Sequence, residues 1–217
     1  MNPETDCPGA NCLDESHTNG TWGWTFYVNA PVVVTDIGWY DRGQDGLTIA
    51  HRVGLWKDQS GQTNSPYISG SGQQLFEASP GVPGIEIPAG TVAALDGPWR
   101  KVSLPNGPIT LQPGGYAIGG LDNTSSLDPI RYMLDDLGSP GATRHLAADG
   151  RILIGAPGDS ASAGFQRPDR FFLVDGVEFG PTLFVIPVPE PATITLMMFC
   201  FLLTLRRRIR PLTPTQL

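Results

Sequence analysis

Val32-Val33-Val34-Thr35-Asp36-Ile37-Gly38-Trp39-Tyr40 is the stretch that settles the architecture. It is dominated by β-branched and aromatic residues, which suit a pleated surface and lose side-chain freedom in a helix. Alternation puts Val32, Val34 and Asp36 on one face and Val33, Thr35, Ile37 and Trp39 on the other. The second face, ending in Ile37 and Trp39, is the expected core face.

Similar runs follow on both sides. Upstream is Trp22–Val28; downstream are His51–Lys57, Gln73–Ala78, Trp99–Leu104, Ile109–Leu111 and Tyr116–Leu121. Later come Ile130–Leu134, Arg151–Ile154, Arg170–Val174 and Gly176–Val185. Between them lie Ser79-Pro80-Gly81, Asn106-Gly107-Pro108, Pro113-Gly114-Gly115 and Ser139-Pro140-Gly141, which supply turns. No helical period and no fixed repeat runs through this region. The pattern predicts an all-β fold, an antiparallel β-sandwich or jelly roll over residues 21–186, after an irregular segment 1–20.

Composition agrees with that expectation. The chain has 217 residues, only 16% of them charged, with 27 glycines and 21 prolines. Up to residue 188 there are ten Lys/Arg against twenty Asp/Glu, and the whole chain carries a formal charge of −7. An acidic body argues against nucleic-acid binding, which needs cations facing phosphates.

The positive charge is concentrated at the end. Pro189-Glu190-Pro191 precedes fourteen uncharged residues, Ala192 to Leu205, and then Arg206-Arg207-Arg208-Ile209-Arg210. The prolines resist a helix running back into the body. The apolar run enters a bilayer only as a helix, with its backbone bonds satisfied internally. The arginines Arg206, Arg207, Arg208 and Arg210 stay on the cytoplasmic side and act as a topological stop. A single hydrophobic C-terminal helix over 192–205 is therefore expected. At roughly 21 Å it is short against a hydrocarbon core of ~30 Å, which suits a signal-type segment better than a permanent anchor. Residues 211–217 form a short tail beyond it. The start, Met1 to Asp6, shows neither a basic nor an apolar leader segment. The expectation here is a start codon assigned too late.

Val188-Pro189-Glu190-Pro191-Ala192 with its apolar segment and arginine cluster resembles the PEP-CTERM sorting signal. The resemblance covers residues 187–210. It implies export, recognition at Pro189, Glu190 and Pro191 by an exosortase in the inner membrane, and processing of the tail near that motif. The mature protein would then lie in the cell envelope or the extracellular matrix. The chain departs from the family pattern in continuing past the arginines to Leu217.

The body carries a second resemblance, to an uncharacterised domain common in PEP-CTERM proteins. It rests on Ile37-Gly38-Trp39-Tyr40-Asp41, Asp45-Gly46-Leu47 and His51-Arg52-Val53-Gly54-Leu55-Trp56. It continues through Trp99-Arg100-Lys101-Val102, Pro108-Ile109-Thr110-Leu111, Gly114 to Gly119 and Phe179-Gly180-Pro181. That resemblance implies a secreted β-sandwich and no particular activity.

Candidate chemistry in the body is sparse. Asp41 to Gly46 has oxygen donors at alternating positions and a turn glycine, so Asp41 and Asp45 are candidate calcium ligands; a solvated turn is the competing reading. An EF-hand is excluded, because Arg52 stands where its glutamate would be. His51 is expected beside Trp39 or Trp56, bonded to a loop carboxylate such as Asp41. Gly155 to Ser160 lacks the nucleophile-elbow pattern of hydrolases. Asp122, Asp135 and Asp136 offer carboxylates without a readable spacing for glycosidic chemistry. No catalytic residue is therefore assigned, and a structural role is expected.

The alternative is a lectin-like module for matrix exopolysaccharide. Of the five tryptophans, Trp22 and Trp24 share one strand face and are the candidate ligand platform, against a core role. Cys7 and Cys12 are a candidate disulfide in an oxidising compartment.

Overall fold

The computed structural model describes residues 12–15, 20–59, 72–79, 81–122, 128, 130–134, 146–147, 149–160, 163–171 and 176–188. The chain divides into two units, Met1–Pro187 and Val188–Leu217. Only Val188 of the second unit is among the described residues.

The first unit is all-β. In chain order its strands are β1 (Cys12–Glu15), β2 (Gly20–Val28), β3 (Val32–Tyr40), β4 (His51–Asp58), β5 (Gly72–Gln74) and β6 (Glu77–Ser79). Next are β7 (Val82–Pro83), β8 (Ile85–Ile87), β9 (Ala94–Asp96), β10 (Trp99–Ser103), β11 (Ile109–Leu111) and β12 (Gly114–Asp122). The last six are β13 (Ile130–Leu134), β14 (Leu146–Ala147), β15 (Ile152–Asp159), β16 (Arg170–Phe171), β17 (Gly176–Phe179) and β18 (Pro181–Pro187). β1 falls in the segment expected to be irregular: Cys12–Glu15 pairs with β13. The only helical element among the described residues is a single 3-10 turn, Arg42–Gln44.

Two sheets enclose the core. The larger has eight strands, ordered β14-β15-β2-β12-β4-β5, with β16 on β15 and β8 on β4. The smaller has five, ordered β11-β3-β10-β9, with β18 on the other side of β3. Every ladder between named strands in these two sheets is antiparallel. Trp24, Phe26, Val53, Leu55, Tyr116 and Ile118 of the larger sheet share one buried cluster with Val32, Val34, Ile37 and Trp39 of the smaller. Two antiparallel sheets closed over one apolar layer make the expected β-sandwich. A three-stranded sheet, β1-β13-β17, lies outside this pair.

The strand that announced the fold differs from the expected pattern in one respect. Val32 and Val34 are buried along with Ile37 and Trp39, while Val33 and Thr35 are only half-buried. The cause is a bulge. Phe184 of β18 opposes Asp36 and Val185 opposes Val34, so Thr35 has no opposite residue. Across the other edge, Ser103 opposes Asp36 and Ile109 opposes Val34. One extra residue resets a period of two, so the buried face changes parity midway along β3.

Trp39 crosses the core to the larger sheet. A Cβ placed on Gly120 of β12 would lie 2.0 Å from the Trp39 ring, so the absence of a side chain there is what admits the indole. The far face of the larger sheet is also covered. Gly158, Gly23, Gly119 and Gly54 stand in register on four adjacent strands. A strap, residues 164–168, crosses them: Thr21 Oγ1 donates to the Gly164 carbonyl at 2.9 Å and accepts from Gln166 N–H at 3.0 Å. Side chains at Gly54 or Gly119 would run into Phe165 or Pro168 of this strap.

Candidate functional site

The Asp41–Gly46 loop, predicted as a candidate calcium site, is tied by a buried ion pair. Asp41 accepts from Arg100 Nε at 2.6 Å and from Gly46 N–H at 3.0 Å. The Arg100 guanidinium also donates to the carbonyls of Gln44 (3.0 Å) and Ala93 (3.4 Å). The Asp41 and Arg100 side chains are 2% and 6% exposed. A fixed guanidinium therefore already holds the carboxylate to which a cation would bind. Asp45 follows the 3-10 turn and is exposed. Among the described residues no group of three His, Cys, Asp or Glu side chains is placed to hold a metal.

His51, at the start of β4, stacks on Trp39 with ring centroids 3.9 Å apart and planes 6° from parallel. Its carboxylate partner is Asp128, 77 residues away, rather than Asp41. His51 Nε2 lies 2.9 Å from Asp128 Oδ2, and a carboxylate only accepts, so Nε2 carries the hydrogen. Asp128 also accepts the N–H groups of Thr48 (2.9 Å) and Ile49 (3.0 Å). It thereby ties the loop before β4 to the one after β12. Burial acts to raise the Asp128 carboxyl, but the His51 hydrogen bond and the two backbone donors outweigh it and hold it below the ordinary value.

The sign of that shift fixes a pH dependence. A carboxylate with a depressed folded-state pKa adds stability above its unfolded value, and the contribution disappears as pH falls through the folded one. Asp128→Asn is expected to cost about 1–3 kcal/mol at pH 7, with the difference from the parent closing below about pH 4. Urea midpoints of both proteins across pH 2–7 check this; parallel curves would contradict it.

Trp22 and Trp24 do not form an exposed platform. Trp24 is buried against Phe26, and its indole N–H donates to the Pro181 carbonyl at 3.1 Å. Trp22 is partly buried and packs on the same core cluster. Trp24 and Phe26 share the core cluster with Val32, Val34, Ile37 and Trp39 of the other sheet, so the aromatic face of β2 is the inside of the sandwich. Trp56 is buried under Phe165 of the strap.

Gly155 to Asp159 belongs to β15, and Ser160 closes it: Ser160 Oγ accepts Thr21 N–H at 3.1 Å while Ser160 N–H donates to the Thr21 carbonyl at 2.9 Å. Cys12 lies in β1, and Cys7 lies outside the described residues. So do Asp135, Asp136, Pro189, Glu190, Pro191, the 192–205 segment and the arginine cluster. Among the described residues no helix is long and apolar enough to cross a membrane.

Polar and aromatic side chains also stand on the outer face of the five-stranded sheet. Strand alternation turns Asp36 and Gly38 of β3, Trp99, Lys101 and Ser103 of β10, and Thr182 and Phe184 of β18 away from the core. The Phe184 ring covers Gly38; a Cβ there would meet it at 2.9 Å. Lys101 Nζ sits 4.7 Å from the centre of that ring and 2.6 Å from Asp96 Oδ2. Ser103 Oγ donates to Asp36 at 2.7 Å. Burial acts to raise the Asp36 carboxyl; hydrogen bonds from Ser103 and Thr35 and the nearby Lys101 charge outweigh it and keep it below the ordinary value. The sequence held one sign of this face, a charged Asp36 inside an otherwise apolar strand. The bulge that separates Asp36 from the buried Val32 and Val34 had no sign of its own.

No family model matches the chain, and no curated protein matches it.

Proposed function

We propose that this chain is an exported protein of the cell envelope or extracellular matrix, sorted through residues 187–210 and processed by an exosortase-type enzyme. The body has a non-enzymatic, structural role. The observation that carries this reading is the order of Pro189-Glu190-Pro191, a charge-free segment 192–205, and Arg206, Arg207, Arg208 and Arg210. A folded unit that ends at Pro187, two residues before the motif, supports it. The chemistry of the body supports it too, since Asp41–Arg100 and His51–Asp128 each tie a loop carboxylate to a strand of the fold. On this reading the chain passes through the inner membrane transiently, and no nucleic acid is a partner.

Changing Pro189, Glu190 and Pro191 together to alanine is the test. The altered chain is expected to stay full-length in the inner-membrane fraction of its own host, with its apolar segment attached. Unchanged processing and release of the variant would refute the assignment.

A second reading, a carbohydrate-holding module of the matrix, is favoured by one feature: the outer face of the five-stranded sheet combines a ring, carboxylates, a hydroxyl and an ammonium.

A further inference from the structure

We infer that the outer face of the five-stranded sheet binds a neutral polysaccharide chain, with Phe184 as the stacking surface and Asp36, Ser103 and Lys101 as the hydroxyl-reading groups. This deepens the carbohydrate reading and is independent of the sorting proposal. The groups stand on three neighbouring strands. Phe184, Asp36 and Ser103 form one cross-strand row, and Thr182, Gly38 and Lys101 form the next. Adjacent strands lie about 4.8 Å apart, so the two rows span an area comparable to one or two pyranose rings.

The chemistry is that of a sugar. A pyranose has an apolar C–H face, which an aromatic ring accepts, and a rim of hydroxyls that both donate and accept. The Asp36 carboxylate accepts; Ser103 both donates and accepts; Lys101 donates. Among the described residues the charges that meet on this face are two carboxylates, Asp36 and Asp96, against the Lys101 ammonium, on a body with an acidic excess. That balance repels a polyuronate and leaves a neutral polyol as the occupant. A sheet face whose polar groups spread over three strands suits an extended chain better than a single small molecule.

Lys101 caps the Phe184 ring and is held there by Asp96. Its side chain is 26% exposed and that of Asp96 is 51% exposed. Exposed cation–ring and ion-pair contacts are weak, so a sugar ring displaces the ammonium readily, and the freed donor turns to a hydroxyl.

The test uses the full chain, in a detergent without a sugar headgroup, and amide chemical shifts during titration. The probes are a neutral β-linked hexose oligosaccharide and an oligouronate of equal length. At about 10 mM, enough to fill most of a site with a Kd near 1 mM, the neutral sugar is expected to move amides around Asp36, Lys101, Ser103 and Phe184. Asp36→Asn and Ser103→Ala, both surface changes, are each expected to weaken binding by tenfold or more. Phe184→Ala should abolish it, and Phe184→Tyr should retain it. Binding with shifts confined to other surfaces would overturn the site and spare the carbohydrate reading. Tighter binding of the oligouronate would overturn the neutral-ligand assignment. No binding of either probe would overturn both site and reading.

Discussion

Arg100→Met is expected to cost the protein about 3–5 kcal/mol, because it leaves the Asp41 carboxylate buried without its counter-charge. The environment explains the size. Arg100 lies on the core side of β10, and Asp41 follows the end of β3. The guanidinium serves the Asp41 carboxylate and the Gln44 and Ala93 carbonyls at once, so its removal orphans several acceptors. If the uncompensated charge is the main loss, Arg100→Met combined with Asp41→Leu should recover much of it, since an apolar pair avoids burying a lone ion. Equilibrium urea unfolding of the two variants decides the matter. A single variant within about 1 kcal/mol of the parent would show the pair to be dispensable, at the level of an ordinary surface substitution.

The second large effect is at the crossing of Trp39 and Gly120. Gly120→Ala places a methyl group where the indole ring already stands, 2.0 Å from a ring carbon. Overpacking of a filled core typically costs about 1–3 kcal/mol, and a rigid ring facing a backbone carbon should put this case at or above the upper end. Trp39→Ala should cost about 3–5 kcal/mol by opening a cavity in a fully buried site. The two positions are in contact, so the effects should not add. Trp39→Phe shortens the ring and removes an indole N–H that has no hydrogen-bond partner. Gly120→Ala is therefore expected to be better tolerated in a Trp39→Phe background than in the parent. Thermal midpoints of the four proteins measure the coupling, and strict additivity would contradict the crossing.

Much of the fold was legible because its signals are local. Val32–Tyr40, Ile109–Leu111 and Ile130–Leu134 are strands with the expected ends, since β-branched runs between turn residues have few other conformations. Among the strands that the sequence pattern did not reveal, β8 (Ile85–Ile87) and β9 (Ala94–Asp96) have three residues each, too few for alternation to stand out. The bulge at Thr35 escaped for another reason: it is imposed by β10, β11 and β18 together, and β3 alone carries no trace of it.

The candidate site was less legible because its partners are remote. A carboxylate beside His51 was foreseeable; that it would be Asp128 was not, since 77 residues separate them. The same holds for Arg100, 59 residues from Asp41. Trp24 shows the limit of composition as a guide. Two tryptophans on one strand face suit a ligand platform or a core equally well, and only the packing of the second sheet over that face of β2 selects the core.

The proposal depends most on the fate of the C-terminal segment, and the intact mass of the protein recovered from its own host reads that fate directly. The account predicts a species outside the inner membrane that has lost the apolar segment and its arginines, with the body retained at least through Pro187. Full-length protein found only in the cytosol, with residues 192–205 still attached, would contradict it.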